Sequence, residues 1–246
     1  MKKAFSYMFL DNKLHTKIFG VLFMLLIIFC MNSVVCFYSN GNLWLIFLAG
    51  VFGFIGYILL EGYKISIIKF LDTSSEKIVF PIIGLKKMFT IGSRYVLSFL
   101  IFSIPLFCIV FAFAYAWVLS SMTIGAELLI FILGFLAVLS IIFCLFCMTI
   151  IVPAATLVFL KTNDIWSFYK FEEIFVIISV NPKKYVKYSI VIFLLDAIWG
   201  GLFELTNIVS YNSLLLSFVL IIPILLIVLY VNFVNSYLIA KLKNYD

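Results

Sequence analysis

Asp196 is the residue of this chain best placed to do chemistry. It lies about ten residues into a long apolar run, near the depth of a bilayer midplane. An ionised carboxylate in hydrocarbon needs a partner or water, or it takes up a proton. Ionisable groups at such depth are functional candidates by default. Asn232 and Asn235, in the last apolar run, are its candidate hydrogen-bond partners. The apolar runs offer no deep basic residue to pair with it. The sequence therefore suggests an intramembrane polar site at Asp196, Asn232 and Asn235, coupled to protons or cations. Two plainer readings stand beside it. Asp196 could be a protonated structural residue, or it could approach the outer surface of a short span beside Gly200-Gly201.

The other reactive groups point away from catalysis. Glu61 precedes Lys64 by three residues, the spacing of a local helix pair at an inner membrane boundary. Glu127 and Glu204 fall at outer boundaries. Glu172 and Glu173 are adjacent, so they face different sides of a helix and cannot share one substrate as acid and base. Cys144-Leu-Phe-Cys147 has the spelling of a redox or metal motif. It lacks a second ligand pair and a basic neighbour to hold thiolates, so both cysteines read as small apolar side chains. All five cysteines lie in apolar runs and form no disulfide framework. The single histidine, His15, makes a metal centre unexpected. There is no nucleophile elbow and no phosphate-binding glycine loop. The expectation is a protein that is not an enzyme, with no catalytic residue, no metal and no cofactor.

The elements that must position Asp196 are apolar helices. Of the 246 residues 66% are hydrophobic and 11% charged, against about 45–50% and about 25% in soluble domains. Lipid must be the solvent, and there the backbone is satisfied only within helices or closed barrels. The runs are continuous rather than alternating, which excludes the barrel. The fold class is all-α: one polytopic membrane domain over 1–246. Six transmembrane helices are expected at about 18–37, 43–64, 95–119, 128–153, 186–205 and 214–240. The second carries Ala49, Gly50, Gly53 and Gly56, a small-residue face suited to close helix approach. The fourth apolar run, about 33 residues or roughly 50 Å, exceeds one crossing, so Pro153 is expected to kink it. Pro105 and Pro223 also interrupt spans, a feature of some transporter helices.

Charge then sets orientation. All 17 Lys and Arg residues fall in four segments: the N-terminal tail, 64–94, 161–187 and the C-terminal tail. Six spans put all four on one side, and the positive-inside bias makes that side cytoplasmic. A multi-pass cell-membrane protein with both termini in the cytoplasm follows. Its net charge of +6 therefore reflects topology and membrane lipids, not nucleic acid. Trp44, Trp117, Trp166 and Trp199 fall near span ends, as an aromatic belt requires.

Two cytoplasmic stretches are too greasy for loops, and both read as interfacial amphipathic helices, at about 80–92 and 165–180. Leu85, Met88 and Phe89 give the first its stripe; Phe171, Ile174, Phe175 and Ile178 give the second. Asn181-Pro182 ends the second. The pair suggests a repeated unit of span, interfacial helix and span. The second is apolar over most of its circumference, which predicts a mostly buried plug or brace beneath the bundle. Lys86, Lys87, Arg94, Lys183, Lys184 and Lys187 are candidate lipid-headgroup contacts, worth about 1 kcal/mol each on anionic lipid, although setting topology alone would explain them.

Three stretches carry a family resemblance: Phe5-Ser-Tyr7-Met-Phe9-Leu-Asp11-Asn-Lys13, the glycine-bearing second span, and Trp166-Ser-Phe168-Tyr-Lys-Phe171-Glu-Glu-Ile174 leading to Asn181-Pro182-Lys-Lys-Tyr185. With these the chain resembles the bacterial and archaeal membrane proteins of domain-of-unknown-function family 4013. Asp72 to Lys87 departs from the more acidic, tryptophan-bearing loop of that family. The resemblance implies a six-helix integral membrane protein and no activity. The first functional expectation is a non-catalytic scaffold or accessory protein acting at the cytoplasmic membrane face, on lipids or on another membrane protein. The alternative is a small transporter or lipid-handling carrier with its site near Asp196.

Overall fold

Long helices form because in long apolar runs the backbone must satisfy its own hydrogen bonds, and Pro105, Pro153 and Pro223 do not end them. The computed structural model describes residues 26–28, 30, 31, 33–35, 37, 38, 42–73, 84–121 and 127–243. They form α1 (Leu43–Thr73), α2 (Leu85–Ser121), α3 (Glu127–Thr162), a 3-10 turn (Ile165–Tyr169), α4 (Phe171–Val180), α5 (Pro182–Asn212) and α6 (Leu214–Lys243). An apolar helical segment, Leu26–Val35, precedes them. Among the described residues there is no strand. Among the described residues five helices are long and apolar enough to cross a membrane, which makes the chain an all-α polytopic membrane protein. The expected first span, 18–37, lies largely outside the described residues, as do His15 and the N-terminal tail.

Punctuation is local and chemical. The Asn42 side chain accepts from the Trp44 amide at 3.0 Å and caps α1. Glu127 opens α3 and Lys161 stands in its last turn, both favourable to the helix dipole. Asn163, at φ 50°, closes α3 in the left-handed conformation, donating its amide to the Phe159 carbonyl at 2.7 Å. Asn181-Pro182 ends α4 and at once starts α5: Asn181 accepts from the Lys184 amide at 3.3 Å, and Pro182 stands at the first helical position.

Helices outrun several expected boundaries. The turn expected over 206–213 shrinks to Ser213, whose hydroxyl accepts from the Leu216 amide at 3.3 Å. The interfacial helix expected over 80–92 is not a separate element. From Leu85 onward it is the beginning of α2, which continues unbroken to Ser121, and 80–83 lie outside the described residues. Of its expected stripe only Met88 is buried, while Leu85 and Phe89 are exposed. The reason lies at Gly92, where the expected interfacial helix ends. A Cβ on Gly92 would collide with the Ile58 carbonyl, and one on Gly62 with the Met88 carbonyl. The two glycines let α1 and α2 cross backbone to backbone, so the helix continues through Gly92. The repeat of span, interfacial helix and span does not hold.

The chain divides into two units, 1–95 with 191–246, and 96–190. In the first, α1 packs along α6. Leu59, Leu60 and Ile67 of α1 meet Leu225, Leu229 and Phe233 of α6 in one apolar cluster, with Met88 from α2. Tyr63 meets Phe233 edge to face at 5.9 Å. The glycine-bearing first half of α1 is mostly exposed, Gly50 included, and the buried half is 58–68. Of the small-residue face, Ala49 and Gly56 are buried, and a Cβ on Gly56 would stand 3.1 Å from the Ile28 side chain; the backbone-to-backbone approach comes further on, at Gly62.

In the second unit the 3-10 turn and α4 both lie on α3. Phe168 is fully buried, with ring centroids 6.3 Å from Phe99 and 5.7 Å from Phe102. Ser98 donates to the Ile165 carbonyl and lies 3.3 Å from the Ser167 hydroxyl. The Tyr169 hydroxyl donates to the Ile101 carbonyl at 2.9 Å. The Tyr185 hydroxyl donates to the Ile150 carbonyl at 2.6 Å, one residue after Thr149, whose carbonyl Pro153 leaves without its i+4 donor. Neighbouring side chains commonly take up backbone groups at such prolines in membrane helices. The 165–180 region is thus anchored by its first half. In α4 only Ile174 is buried, and Phe171, Phe175, Val176 and Val180 are exposed. This corrects the expected plug: Lys170 interrupts the helix, and only one side of α4 meets α3.

Candidate functional site

Tyr57, Glu61 and Lys64 follow one another on α1 at four- and three-residue spacing, so their side chains share one stripe of the helix. Lys64 Nζ stands 3.5 Å from Glu61 Oε1, the local pair expected from their spacing. The pair is buried within the protein, with side-chain exposures of 6% for Lys64 and 10% for Glu61. It is more than two turns inside α1, which ends at Thr73.

The same ammonium stands 3.7 Å from Asp196 Oδ1, on α5. Asp196 therefore has the basic partner that seemed absent from the apolar runs. Asn235, fully buried on α6, donates its amide nitrogen to Asp196 Oδ1 at 2.6 Å. The expected pairing of Asp196 with Asn235 thus forms. Asn232 does not join it: its amide donates to the Val228 carbonyl of its own helix at 2.9 Å. Tyr57, and Tyr95 from α2, lie close enough to act electrostatically on the cluster.

The arrangement is two carboxylates around one ammonium, all within the first unit. Burying charges is costly unless they are paired and hydrogen-bonded, and here the pairing is incomplete. Glu61 Oε2 and Asn235 Oδ1 are buried without a hydrogen-bond partner among the described residues. The Asp196 side chain remains 47% exposed, so the cluster is buried on its Glu61 side and open on its Asp196 side. Such a site can hold a mobile positive charge or orient a polar group.

The other candidate positions stay apart from this cluster. Lys86, Lys87, Arg94, Lys183, Lys184 and Lys187 are all exposed. Asp164 accepts from the Trp166 amide at 3.1 Å and pairs with Lys170 at 3.1 Å. The Trp166 amide first, then Lys170, hold its carboxyl below the usual carboxylate range. Cys144 and Cys147 are buried free thiols, and no group of three or more metal-ligating side chains occurs among the described residues.

No curated protein and no solved structure matches this chain. A family model described as a protein of unknown function (DUF4013) matches residues 45–229. The matched region contains Glu61, Lys64 and Asp196 and ends before Asn235. With three of the four cluster residues inside the match, this all-helical chain of apolar spans belongs to the DUF4013 family.

Proposed function

We propose that this protein is a small membrane carrier, moving a polar solute or lipid, with its working site at Asp196, Lys64, Glu61 and Asn235. The observation behind this reading is a charged cluster that is buried at one side and half-exposed at the other, within mostly apolar helices. A purely structural ion pair gains most from complete burial and full hydrogen bonding. A carrier site must instead be reachable. The lysine and arginine distribution supports a cell-membrane location with both termini cytoplasmic.

The test is water access at position 196. In a cysteine-free background, D196C is reconstituted in lipid vesicles and treated with a membrane-impermeant charged thiol reagent from each side. The carrier reading expects labelling from at least one side. Complete protection from both sides, in a protein that retains wild-type helicity, would falsify it.

A second reading is a non-catalytic scaffold or accessory protein acting at the cytoplasmic face. The exposed Phe171, Phe175, Val176 and Val180 of α4 favour it. Co-purification from native membranes tests it, and a strictly solitary protein without lipid preference would count against it.

A further inference from the structure

We propose that the cluster binds a proton, and that Glu61 rather than Asp196 carries it at neutral pH. The proposal rests on the carrier reading only for its use as a coupling ion; the protonation itself is a property of the folded chain.

Lys64 supplies one positive charge to two carboxylates. With all three groups ionised the cluster has a net charge of minus one, at a place where a lone buried charge is strongly unfavourable. One proton brings the cluster to neutrality. The groups facing Glu61 are Lys64 and Tyr57 from α1 and Asp196 from α5, while Tyr95 of α2 faces Lys64. Asn235 of α6 is uncharged. No second cation faces Glu61 among these groups.

Hydrogen bonding decides where the proton goes. Asp196 Oδ1 accepts from Asn235 and faces Lys64, and its side chain is half-exposed, so its charge is both paired and partly solvated. Glu61 has one oxygen toward Lys64, while Oε2 is buried with no hydrogen-bond partner among the described residues. An ionised carboxylate can only accept hydrogen bonds; a protonated one gains a donor. Adding a proton at Oε2 forms an O–H bond and removes the uncompensated charge. Asn235 Oδ1 is a fully buried acceptor in the same cluster that lacks a donor. A metal cation fits less well, because the Lys64 ammonium already stands 3.5 and 3.7 Å from the two carboxylates.

The experiment is infrared spectroscopy of the full chain in lipid films, titrated with pH, reading the carbonyl stretch of carboxylic acid against carboxylate. Wild type is expected to show an acid band at neutral pH. E61Q, a near-isostere of the protonated acid, should lose it. D196N should keep a titrating acid band, because the proton sits on Glu61. E61D guards against a folding failure of E61Q: its acid band should persist at a shifted frequency. Absence of an acid band at neutral pH overturns the proposal. So does a band that survives in E61Q or whose titration is abolished in D196N. Protection of D196C from aqueous reagent beside an intact Glu61 band would remove the carrier reading and leave the proton site standing.

Discussion

Replacing Gly62 or Gly92 by alanine tests the backbone-to-backbone crossing of α1 and α2. An alanine Cβ at 62 would stand 2.8 Å from the Met88 carbonyl carbon and 3.0 Å from the Gly92 nitrogen. One at 92 would stand 2.9 Å from both the Ile58 carbonyl carbon and the Gly62 nitrogen. Ordinary contact begins at 3.4 Å, and the obstacles are backbone atoms that no rotamer change can move. The helices must part by about 0.5 Å or more, which forfeits about a quarter to a half of the attraction at each contact. Overpacking costs about 1–3 kcal/mol, and an all-backbone clash belongs at the upper end. Alanine returns about 1 kcal/mol of helix propensity, so each single substitution should destabilise by about 2 kcal/mol. Once one alanine has opened the crossing, the second meets less resistance. The double variant should therefore cost well under the sum of about 4 kcal/mol. Gly50→Ala and Gly201→Ala are the controls: a Cβ there meets nothing within 4 Å, and each should be neutral or stabilising by up to about 1 kcal/mol. Reversible unfolding by sodium dodecyl sulfate in mixed micelles, followed by circular dichroism, gives the values. Either single variant within about 0.5 kcal/mol of wild type, or an additive double variant, refutes the crossing.

Tyr185→Phe removes the donor to the Ile150 carbonyl beside Pro153 and should cost about 0.6–1.7 kcal/mol in the same assay; no loss would mean that the bond contributes nothing. Asp164→Ala removes the cap of the 3-10 turn and should accelerate hydrogen exchange at the Trp166 amide. The pH dependence has a definite sign. Because the folded carboxyl is held below its ordinary value, the cap is fully present above that value and is lost as pH falls through the lowered one. Unchanged Trp166 exchange across that acid range would exclude the cap.

Much of this molecule is determined by its sequence. The length of the apolar runs and the scarcity of charge require membrane helices, because no other backbone arrangement satisfies its own hydrogen bonds in lipid. The Glu61–Lys64 pair follows from helical spacing, and the Asp196–Asn235 bond from the shortage of polar groups at that depth. Tertiary structure decided the rest. Lys64 reads in the sequence only as the local partner of Glu61; only the packing of α5 and α6 brings Asp196 to it. The interfacial helix expected over 80–92 stops at Gly92, and only the facing Gly62 shows that Gly92 lies at a helix crossing. The apolar circumference of α4 suggests burial, yet α3 covers only Ile174's side of it. In each case local sequence fixes what a segment can form. Which of its faces is covered, and by which charge, depends on segments far along the chain.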